Sequence, residues 1–352
     1  MSKVKVGIIG VGGIATDAHI PGYQAVQEVE LYAVADVNYE RALTVANQFD
    51  LPESRAFADY NDMLALGVLD AVSVCTPNNF HAPASVAALE AGVHVLCEKP
   101  MAGNGKDARA MWEASIRSGK ILQIGVNSRF GARAQTLKRI IEAGEFGEIY
   151  FARCVAMRRR GIPGWGSFIR KDLNGGGALY DIGVHILDRT IWLMGAPVPL
   201  SASAMTCAKF GTREGIVNPW GQWDVSKFDV DDFATGFVRF ENGAALLLET
   251  AWASNIEGVG PSYILGTEGG CHVDGNVIYK QRHDTLVNET YEIRDAREGT
   301  HTIEIRKFIE AIREGKPSPV PPEEVYRVQL IMDAMYKSSE TGEEVKIHYT
   351  AP

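Results

Sequence analysis

The chain has 352 residues, of which 46% are hydrophobic and 22% charged, a composition typical of soluble globular proteins. This length allows two domains with sizeable cores. The net charge of −9 argues against a nucleic-acid partner held through its phosphates, and no run of about 18 apolar residues predicts a membrane helix.

The five cysteines are scattered and form no CxxC pair. They therefore predict reduced structural thiols in a cytoplasmic protein, with no metal site. The first residues enter a strand pattern at once, without the long apolar core of a signal peptide. We accordingly expect neither a membrane partner nor export.

Short apolar segments alternate with amphipathic segments over residues 1–126. The predicted strands are Val4–Gly10, Glu30–Asp36, Ala71–Cys75, Val93–Cys97 and Ile121–Val126. The predicted helices between them include Glu40–Phe49, Pro83–Ala91 and Lys106–Ser118. Short strands rich in Val, Ile and Ala are typical of buried parallel sheets. Strict alternation with helices predicts right-handed βαβ units and a doubly wound sheet.

The pattern changes after residue 126, and short strands with turn signals occupy most of residues 201–293. The predicted elements are a helix at Ala134–Ala143, an antiparallel hairpin of Phe237–Phe240 and Ala244–Trp252, and final helices at His301–Glu314 and Glu323–Ser338. We therefore predict a second domain over residues 127–352, with a mostly antiparallel sheet and helices on one face. Both faces of the hairpin carry apolar groups, so we also predict a homo-oligomer.

A glycine-rich segment follows the first predicted strand and fits the dinucleotide-binding form G-x-G-x-x-G/A. Its residues are Gly10, Val11, Gly12, Gly13, Ile14 and Ala15. The first glycine permits a tight turn, the second allows backbone to approach phosphate, and the small third residue lets helix pack on strand. The N–H groups of the following helix then face the anion. The alternative is an ordinary glycine-rich turn without a ligand.

Asp36 ends the second predicted strand, 21 residues after Ala15. A ribose-binding acid is expected about 20 residues beyond the glycine motif. Its carboxylate can accept hydrogen bonds from the ribose hydroxyls and would repel a 2′-phosphate, so it predicts NAD rather than NADP. The alternative is a helix-capping aspartate.

The segment Thr76-Pro77-Asn78-Asn79-Phe80-His81 follows the third predicted strand. Ligands of such sheets bind beyond the carboxyl ends of the strands, so this segment is expected to contact ribose or nicotinamide. Two interpretations remain open for it. The alternative makes Asn79 a helix cap and His81 a surface residue.

Lys99 lies in Glu98-Lys99-Pro100, directly after the fourth predicted strand. Pro100 fixes the local backbone, so the lysine is held at a strand end. Its ammonium can donate a hydrogen bond to a substrate hydroxyl and stabilise the alkoxide as hydride leaves. The alternative is an exposed lysine without a role.

Asp181 and His185 are four residues apart and share a face of a helix. Histidine has the basicity to take a hydroxyl proton near neutral pH, while Asp181 can orient the substrate or the imidazole, or share in the proton transfer. Three preceding glycines, Gly175–Gly177, are expected to bring this helix close to the nicotinamide. The alternative is a polar pair with a structural histidine.

Taken together, these segments resemble the Gfo/Idh/MocA oxidoreductases, the glucose–fructose oxidoreductase and inositol dehydrogenase group. The resemblance runs from GIIGVGGIA through CTPNNFH, CEKPMA and GGGALYDIGVH to FIEAIREGKPSPVPPEE, which is essentially the whole chain. It implies a Rossmann domain followed by an α/β domain whose open sheet often supports a homodimer or homotetramer. The family's substrates are mostly sugars, inositols and their derivatives.

The resemblance also implies roles for individual residues. It assigns Lys99, Asp181 and His185 to the catalytic group, which would also bind substrate. The cofactor contacts that it implies are Thr76, Pro77, Asn78, His81, Glu98, Lys99 and Asn127. The glycine motif ends in Ala15 rather than glycine, which is an allowed variant.

The segment before the Asp181 helix is the candidate substrate wall. Trp165 and Phe168 can stack on a sugar ring, and Arg170 is a further candidate. An anion could be bound by Arg158, Arg159 and Arg160. Successive side chains of an extended segment point to opposite faces, however, which argues against one shared anion site. The alternative is that these arginines form solvated or inter-subunit ion pairs. For Trp220, Trp223, Asp231 and Asp232, core packing and strand-edge charge are the favoured interpretations. We therefore expect a neutral cyclic polyhydroxyl substrate.

Three hypotheses follow for the activity. The first is an NAD-dependent dehydrogenase that oxidises a hydroxyl of a neutral sugar, glycoside or inositol. The second is an NAD-using glycosidase that works by transient oxidation and elimination. The third, a non-catalytic NAD-binding regulator, is disfavoured by the presence of all three candidate catalytic residues.

Overall fold

The computed structural model describes residues 2–294 and 297–352. The strands are β1 (Val4–Ile9), β2 (Val29–Ala35), β3 (Ala56–Phe57), β4 (Ala71–Val74), β5 (His94–Glu98), β6 (Leu122–Gly125), β7 (Ile149–Met157), β8 (Pro199–Cys207), β9 (Phe233–Phe240), β10 (Ala245–Ala251), β11 (Tyr263–Gly266), β12 (Gly269–His272), β13 (Val277–Arg282), β14 (Thr285–Thr290) and β15 (Val345–Lys346). The helices are α1 (Ile20–Gln24), α2 (Tyr39–Gln48), α3 (Tyr60–Leu64), α4 (His81–Glu90), α5 (Gly105–Ser118), α6 (Ala132–Glu142), α7 (Lys171–Asn174), α8 (Val184–Leu193), α9 (Thr300–Glu314) and α10 (Pro322–Thr341).

The chain divides into two compact units, of which the first comprises Met1–Asn127, Arg297–Tyr326 and Pro352. Its six strands form a parallel sheet in the order β3-β2-β1-β4-β5-β6. The chain enters the sheet at β1, adds β2 and β3 on one side, and then crosses to β4 on the other side. The order of the strands therefore reverses between β1 and β4, which is where such sheets bind their ligands. The predicted doubly wound sheet is confirmed; the short strand β3 is additional to it.

The helix α9 packs in the core of the first unit, although it lies far from that unit in the sequence. Its Ile305, Phe308 and Ile309 are buried in one cluster with Val6 and Ile8 of β1. The compact units therefore differ from the predicted division after residue 126, because residues 297–326 return to the first unit. An apolar helix face of this kind packs against an apolar surface that fits it. The position of the helix in the sequence does not decide which unit provides that surface.

The second unit comprises Ser128–Ala296 and Arg327–Ala351. Its nine strands form one sheet in the order β14-β13-β12-β11-β7-β10-β9-β8-β15. The pair β7–β10 is parallel and the other pairs are antiparallel. The predicted mostly antiparallel sheet is thus confirmed.

One face of this sheet packs on helices of the same unit. Leu246 and Leu248 of β10 are fully buried in a cluster with Leu187 of α8 and Ile331 of α10. Leu247, which alternates with them, is only half-buried on the opposite face. The helices therefore cover one side of the central strands, as the alternation of side chains in a strand requires.

No helix in the described part of the chain is long and apolar enough to cross a membrane.

Candidate active site

The glycine motif turns the chain tightly at the carboxyl end of β1. Gly10 has a φ of +84°, and a Cβ there would lie 2.9 Å from the carbonyl oxygen of Cys75 at the end of β4. Only glycine fits this approach without strain. A Cβ at Gly12 would meet no atom within 4 Å, so the motif borders open space. The helix that follows begins with a π-helical turn, Ala15–His19, and continues into α1.

Asp36 follows β2 beside this loop and is 8% exposed. Its carboxylate accepts hydrogen bonds from the N–H groups of Val11 (3.0 Å) and Asn38 (2.9 Å). The cap of α2 is Asn38, whose side chain accepts from the N–H of Arg41. A helix-capping role for Asp36 is therefore not what the structure shows. The guanidinium of Arg41 lies 3.5 Å from the carboxylate, a neighbour that the sequence did not indicate.

Thr76 and His81 border the same edge of the sheet. The hydroxyl of Thr76 is buried and has no hydrogen-bond partner within the described chain. His81 is buried, so the alternative that placed it on the surface is wrong. Its two ring nitrogens lie 2.8 Å and 2.9 Å from the carbonyl oxygens of Pro100 and Thr76. His81 therefore lies between the Thr76 segment and the turn after Lys99, and its neutral ring can donate to one of these two carbonyl oxygens.

A buried hydrogen-bonded chain holds Glu98 at the end of β5. His19 is fully buried, and its Nε2 lies 2.9 Å from a carboxylate oxygen of Glu98. Its Nδ1 lies 2.9 Å from the Ser73 hydroxyl, which lies 2.8 Å from the Tyr23 hydroxyl. The second carboxylate oxygen of Glu98 accepts a hydrogen bond from the N–H of Lys99 (3.1 Å). The backbone of Lys99 is thus anchored to a rigid buried carboxylate.

The charges around Glu98 decide which atom donates in its bond to His19. Burial raises the pKa of Tyr23 well above its usual value, so the phenol at the other end of the chain keeps its proton. Burial also tends to raise the pKa of Glu98, but the hydrogen bond and charge of His19 and the charges of Lys99 and His301 outweigh it and lower the pKa to about 2. An ionised carboxylate only accepts, so Nε2 of His19 carries the proton of that bond.

Lys99 is half-buried at the end of β5, where the sequence placed it. Asn127 follows β6, and its amide nitrogen lies 3.0 Å from the hydroxyl of Thr300 and 3.3 Å from Nδ1 of His301. The first unit therefore gathers Gly10, Asp36, Thr76, Glu98, Lys99 and Asn127 at the carboxyl ends of its parallel strands. The unpartnered Thr76 hydroxyl, the open space at Gly12 and the Asp36 carboxylate thus lie at the edge where sheets of this kind bind their ligands.

Asp181 and His185 lie on one continuous helical segment of the second unit. Asp181 is in the π-helical turn Leu179–Gly183, and His185 is in the first turn of α8, so the segment is not the uniform α-helix that was predicted. Both side chains are half-buried. In a π-helical turn, residues that are four positions apart in sequence are separated by about one turn of the helix. Such turns are frequent at functional sites. Asp188, one turn further, is fixed by a buried bidentate salt bridge to Arg129 at 2.7 Å and 2.8 Å.

The glycines before this segment pack against protein. A Cβ at Gly176 would lie 2.1 Å from the hydroxyl of Tyr336, and one at Gly177 would lie 1.9 Å from the carbonyl oxygen of Asp231. The carboxylate of Asp231 accepts from the N–H groups of Gly177 (2.8 Å) and Leu179 (3.0 Å) and from the Tyr336 hydroxyl (2.5 Å). Gly176 and Gly177 thus let the start of this helix pack closely on Asp231 and Tyr336.

Trp252 and Arg158 lie near Asp181, a neighbourhood that the sequence did not indicate for either residue. The indole N–H of fully buried Trp252 donates a hydrogen bond to the Asp181 carboxylate at 2.8 Å. The pKa of Arg158 is lowered by burial, and the nearby charge of Asp181 partly opposes this. The indole donor therefore orients the Asp181 carboxylate.

The other arginines of the predicted substrate wall are engaged elsewhere. Arg159 pairs with Glu257 in an exposed ion pair. Arg160 donates to the carbonyl of Ser254, and Arg170 forms an exposed ion pair with Asp172. The three consecutive arginines therefore do not converge on one anion site, as the alternating-face argument indicated.

The aromatic residues of the wall divide into an exposed and a packed group. Trp165 is 55% exposed and Trp220 is 38% exposed, with Phe168 half-buried beside them. Trp223 is half-buried, and its indole N–H donates to the carbonyl of Gly211 (2.7 Å). The favoured packing interpretation thus fits Trp223 but not Trp220. Asp231 and Asp232 are buried caps of backbone N–H groups.

Within the described residues, no group of three or more His, Cys, Asp or Glu side chains is placed to bind a metal ion.

Comparison with known proteins shows the family. Residues 4–126 match the model described as "Oxidoreductase family, NAD-binding Rossmann fold", and residues 138–347 match its C-terminal alpha/beta domain. D-glucoside 3-dehydrogenase of Escherichia coli is 35% identical over 350 residues, which are 98% of each chain. Myo-inositol 2-dehydrogenase of Thermotoga maritima is 25% identical, with 98% of each chain covered.

A solved structure shares the whole fold. Levoglucosan dehydrogenase in complex with NADH superposes with a TM-score of 0.83 at 25% identity, which covers 99% of this chain and 100% of that one. The two family models together span most of this chain, so the predicted membership is confirmed. The chain belongs to the Gfo/Idh/MocA family of oxidoreductases and carries that family's NAD-binding Rossmann domain.

Proposed function

We propose that the protein is an NAD-dependent dehydrogenase that oxidises a hydroxyl of a neutral sugar, glycoside or inositol. The observation that carries the proposal is the Asp181–His185 segment, whose half-buried carboxylate is oriented by Trp252 and whose imidazole lies one turn further on. It is supported by the 35% identity to a D-glucoside 3-dehydrogenase over nearly the whole chain.

We assign Lys99, Asp181 and His185 to the reaction. The imidazole of His185 accepts the proton of the hydroxyl, because its usual pKa lies near neutral pH. The ammonium of Lys99 donates a hydrogen bond to the same oxygen and stabilises its developing negative charge. Asp181 accepts a hydrogen bond from a neighbouring hydroxyl and so orients the ring. Bound NAD⁺ would supply the acceptor for the hydride that leaves the carbon, and the alcohol would become a ketone.

The glycine motif and the strand ends of the first unit hold the dinucleotide in this proposal. The residues assigned to the cofactor are Gly10, Gly12, Gly13, Ile14, Ala15, Asp36, Thr76, Pro77, Asn78, His81, Glu98, Lys99 and Asn127. For His81 the assignment is limited to its backbone and ring edge, since its ring nitrogens face two carbonyl oxygens.

A neutral substrate fits the charges around Asp181. Arg159 and Arg170 are paired with carboxylates, and Arg160 donates to backbone. Arg158 lies near enough to Asp181 for the two charges to attract. In the described part of the chain, these four arginines therefore do not form one cation cluster for a phosphate. The five free thiols support a reducing compartment, in keeping with the predicted cytoplasmic location.

The test is the absorbance of NADH over a panel of sugars, inositols and glycosides, with product sizes measured. Net NADH with an intact carbon skeleton supports the dehydrogenase. Cleavage of a glycoside without net NADH would replace it by the glycosidase mechanism. A hundredfold preference for a phosphorylated sugar, about 2.7 kcal/mol in transition-state binding, would overturn the neutral substrate class. Tight NAD binding without turnover across the panel would favour a regulatory protein.

A further inference from the structure

An exposed aromatic surface lies next to Asp181 and has no part in the steps above. It consists of Trp165, Trp220 and Phe168, here called the aromatic shelf. The rings of Trp165 and Trp220 are 5.7 Å apart and inclined by 42°, and Phe168 meets Trp165 edge-on at 6.5 Å. Two tryptophans that contact each other while more than a third of each stays exposed form an apolar patch, and such patches mark binding surfaces.

The shelf is held in place by backbone contacts rather than by burial of its rings. The N–H of Gly164 donates to the carbonyl of Trp220, and a Cβ at Gly164 would lie 2.9 Å from that oxygen. The amide of Asn218 bonds both the N–H and the carbonyl of Ile162 at 3.2 Å and 2.8 Å. The two segments that carry the tryptophans are thus pinned together, so the rings are positioned before a ligand arrives.

The contacts of the shelf place it near the candidate catalytic carboxylate. The guanidinium of Arg158 lies 4.2 Å from the ring centroid of Trp220, in a cation–π contact. Phe168 of the shelf packs against the buried cluster that contains Ile182 and Trp252, and Trp252 donates a hydrogen bond to Asp181 at 2.8 Å. The shelf therefore lies beside the carboxylate that would orient the reacting sugar.

We infer that the aromatic shelf binds the second pyranose ring of a glycoside, which makes disaccharide-type glycosides the preferred substrates. This inference rests on the proposed function, which places the oxidised ring at Asp181. The axial C–H groups of a pyranose form an apolar face that stacks on an indole, while its equatorial hydroxyls can accept from Arg158. A three-ring surface is far smaller than the about 1,600 Å² of a standard protein–protein interface, so a sugar ring fits it better than a second chain.

Trp220→Ala tests the inference with paired substrates. Methyl glucosides supply one ring, and cellobiose and maltose supply two rings with either anomeric linkage. We expect this variant to lower kcat/KM for the two-ring substrate about tenfold, equivalent to about 1.4 kcal/mol, and to leave the methyl glucoside unchanged. Trp220→Phe should keep the preference because it retains an aromatic face. Val217→Ala, an exposed residue on the same loop, is the matched control.

Equal losses for one-ring and two-ring substrates, or no loss for either, would overturn the inference. Calorimetry measures the binding of the same sugars without turnover. It therefore distinguishes failure of this inference from failure of the proposed function. Tighter binding of a disaccharide that is lost in Trp220→Ala supports the shelf even if no sugar is oxidised, whereas equal binding of one-ring and two-ring sugars contradicts it. A change of oligomeric state in Trp220→Ala would instead assign the shelf to a contact between chains and overturn the inference.

Discussion

Lys99 and His185 carry the sharpest prediction at the scale of single residues. Lys99→Ala and His185→Ala should each lower kcat by about 10²–10⁴-fold, the usual contribution of a positioned proton-transfer group. Affinity for NAD should remain nearly intact, because the glycine motif and Asp36 are unchanged. Turnover by absorbance and NAD binding by calorimetry check both statements. Exposed Lys106→Ala and His348→Ala are matched controls. Near-normal turnover in either active-site variant removes that residue from the mechanism.

Asp36 is expected to set the preference for NAD over NADP. Asp36→Asn removes the charge but keeps one side-chain oxygen. That oxygen can accept a hydrogen bond from one of the two N–H groups that donate to the wild-type carboxylate. We expect NAD binding to weaken about tenfold or more, because a charged hydrogen bond contributes about 1.5–3 kcal/mol. NADP binding should improve, since Arg41 at 3.5 Å would be released toward a 2′-phosphate.

The double variant Asp36→Asn/Arg41→Ala isolates that arginine. It should lose the gain in NADP affinity while NAD affinity stays at the value of the single variant. Fluorescence titration of the single and the double variant with NAD and with NADP gives the four dissociation constants. Tighter binding of NADP than of NAD by the wild-type protein would show that Asp36 has another role.

Glu98 links the buried chain of the first unit to stability in acid. Its pKa in the folded protein is lowered from 4.5 to about 2, so the unfolded chain takes up its proton first as the pH falls. The stabilisation is fully present above the unfolded value and is lost between about pH 5 and about pH 2, an effect of a few kcal/mol. Glu98→Gln should therefore flatten the fall of unfolding free energy over this range.

Urea denaturation at a series of pH values measures this effect. Glu30→Gln, an exposed glutamate on β2, is the control and should follow the wild-type curve. An unchanged acid dependence in Glu98→Gln would mean that the bond from His19 does not hold the carboxylate ionised.

At the scale of elements, the capping of the Asp181–His185 segment decides its position. Asp231→Ala removes the acceptor of two N–H groups and of the Tyr336 hydroxyl, all in a buried region. We expect a loss of about 2 kcal/mol or more in unfolding free energy, since caps are worth about 1 kcal/mol and buried unsatisfied donors add to this. Asp224→Ala removes a cap from an exposed turn and should cost less. Equal losses in the two variants, measured in urea, would contradict this assignment.

The elements that bear the site were foreseeable because their signals are local. The glycine motif, the strand ends and the four-residue spacing of Asp181 and His185 are contiguous in sequence. The π-helical turn at Leu179–Gly183 was not foreseeable, because it depends on how the glycines pack on Asp231 and Tyr336. A helix that is locally rewound by tertiary contacts leaves the hydrophobic period of the sequence almost unchanged.

At the scale of the whole molecule, we expect a homodimer or homotetramer formed through the face of the nine-stranded sheet that the helices leave open. Phe237 and Leu247 are cross-strand neighbours on this face, and Phe151 lies on the adjacent strand. All three are half-buried, as is the Arg153–Glu249 salt bridge beside them. A broad apolar sheet face of this kind usually requires cover.

Leu247→Arg tests this expectation. A charge at the centre of the face should convert the oligomer to a monomer by light scattering at micromolar concentration, while Ile116→Arg on the exposed side of α5 should have no effect. A wild-type protein that is only monomeric under these conditions would show that the face is not an interface.

The sequence by itself indicated the oxidoreductase family, the parallel and antiparallel sheets and the segments that carry Gly10, Lys99 and His185. These depend on periodicity and on motifs whose residues are neighbours in the chain. Only the tertiary structure brought His19 to Glu98 across 79 residues and Trp252 to Asp181 across 71. It likewise returned α9 to the first unit and left Trp220 exposed beside Arg158. Such contacts join segments whose local patterns are independent, so packing of the folded chain, rather than any single stretch of sequence, selects them.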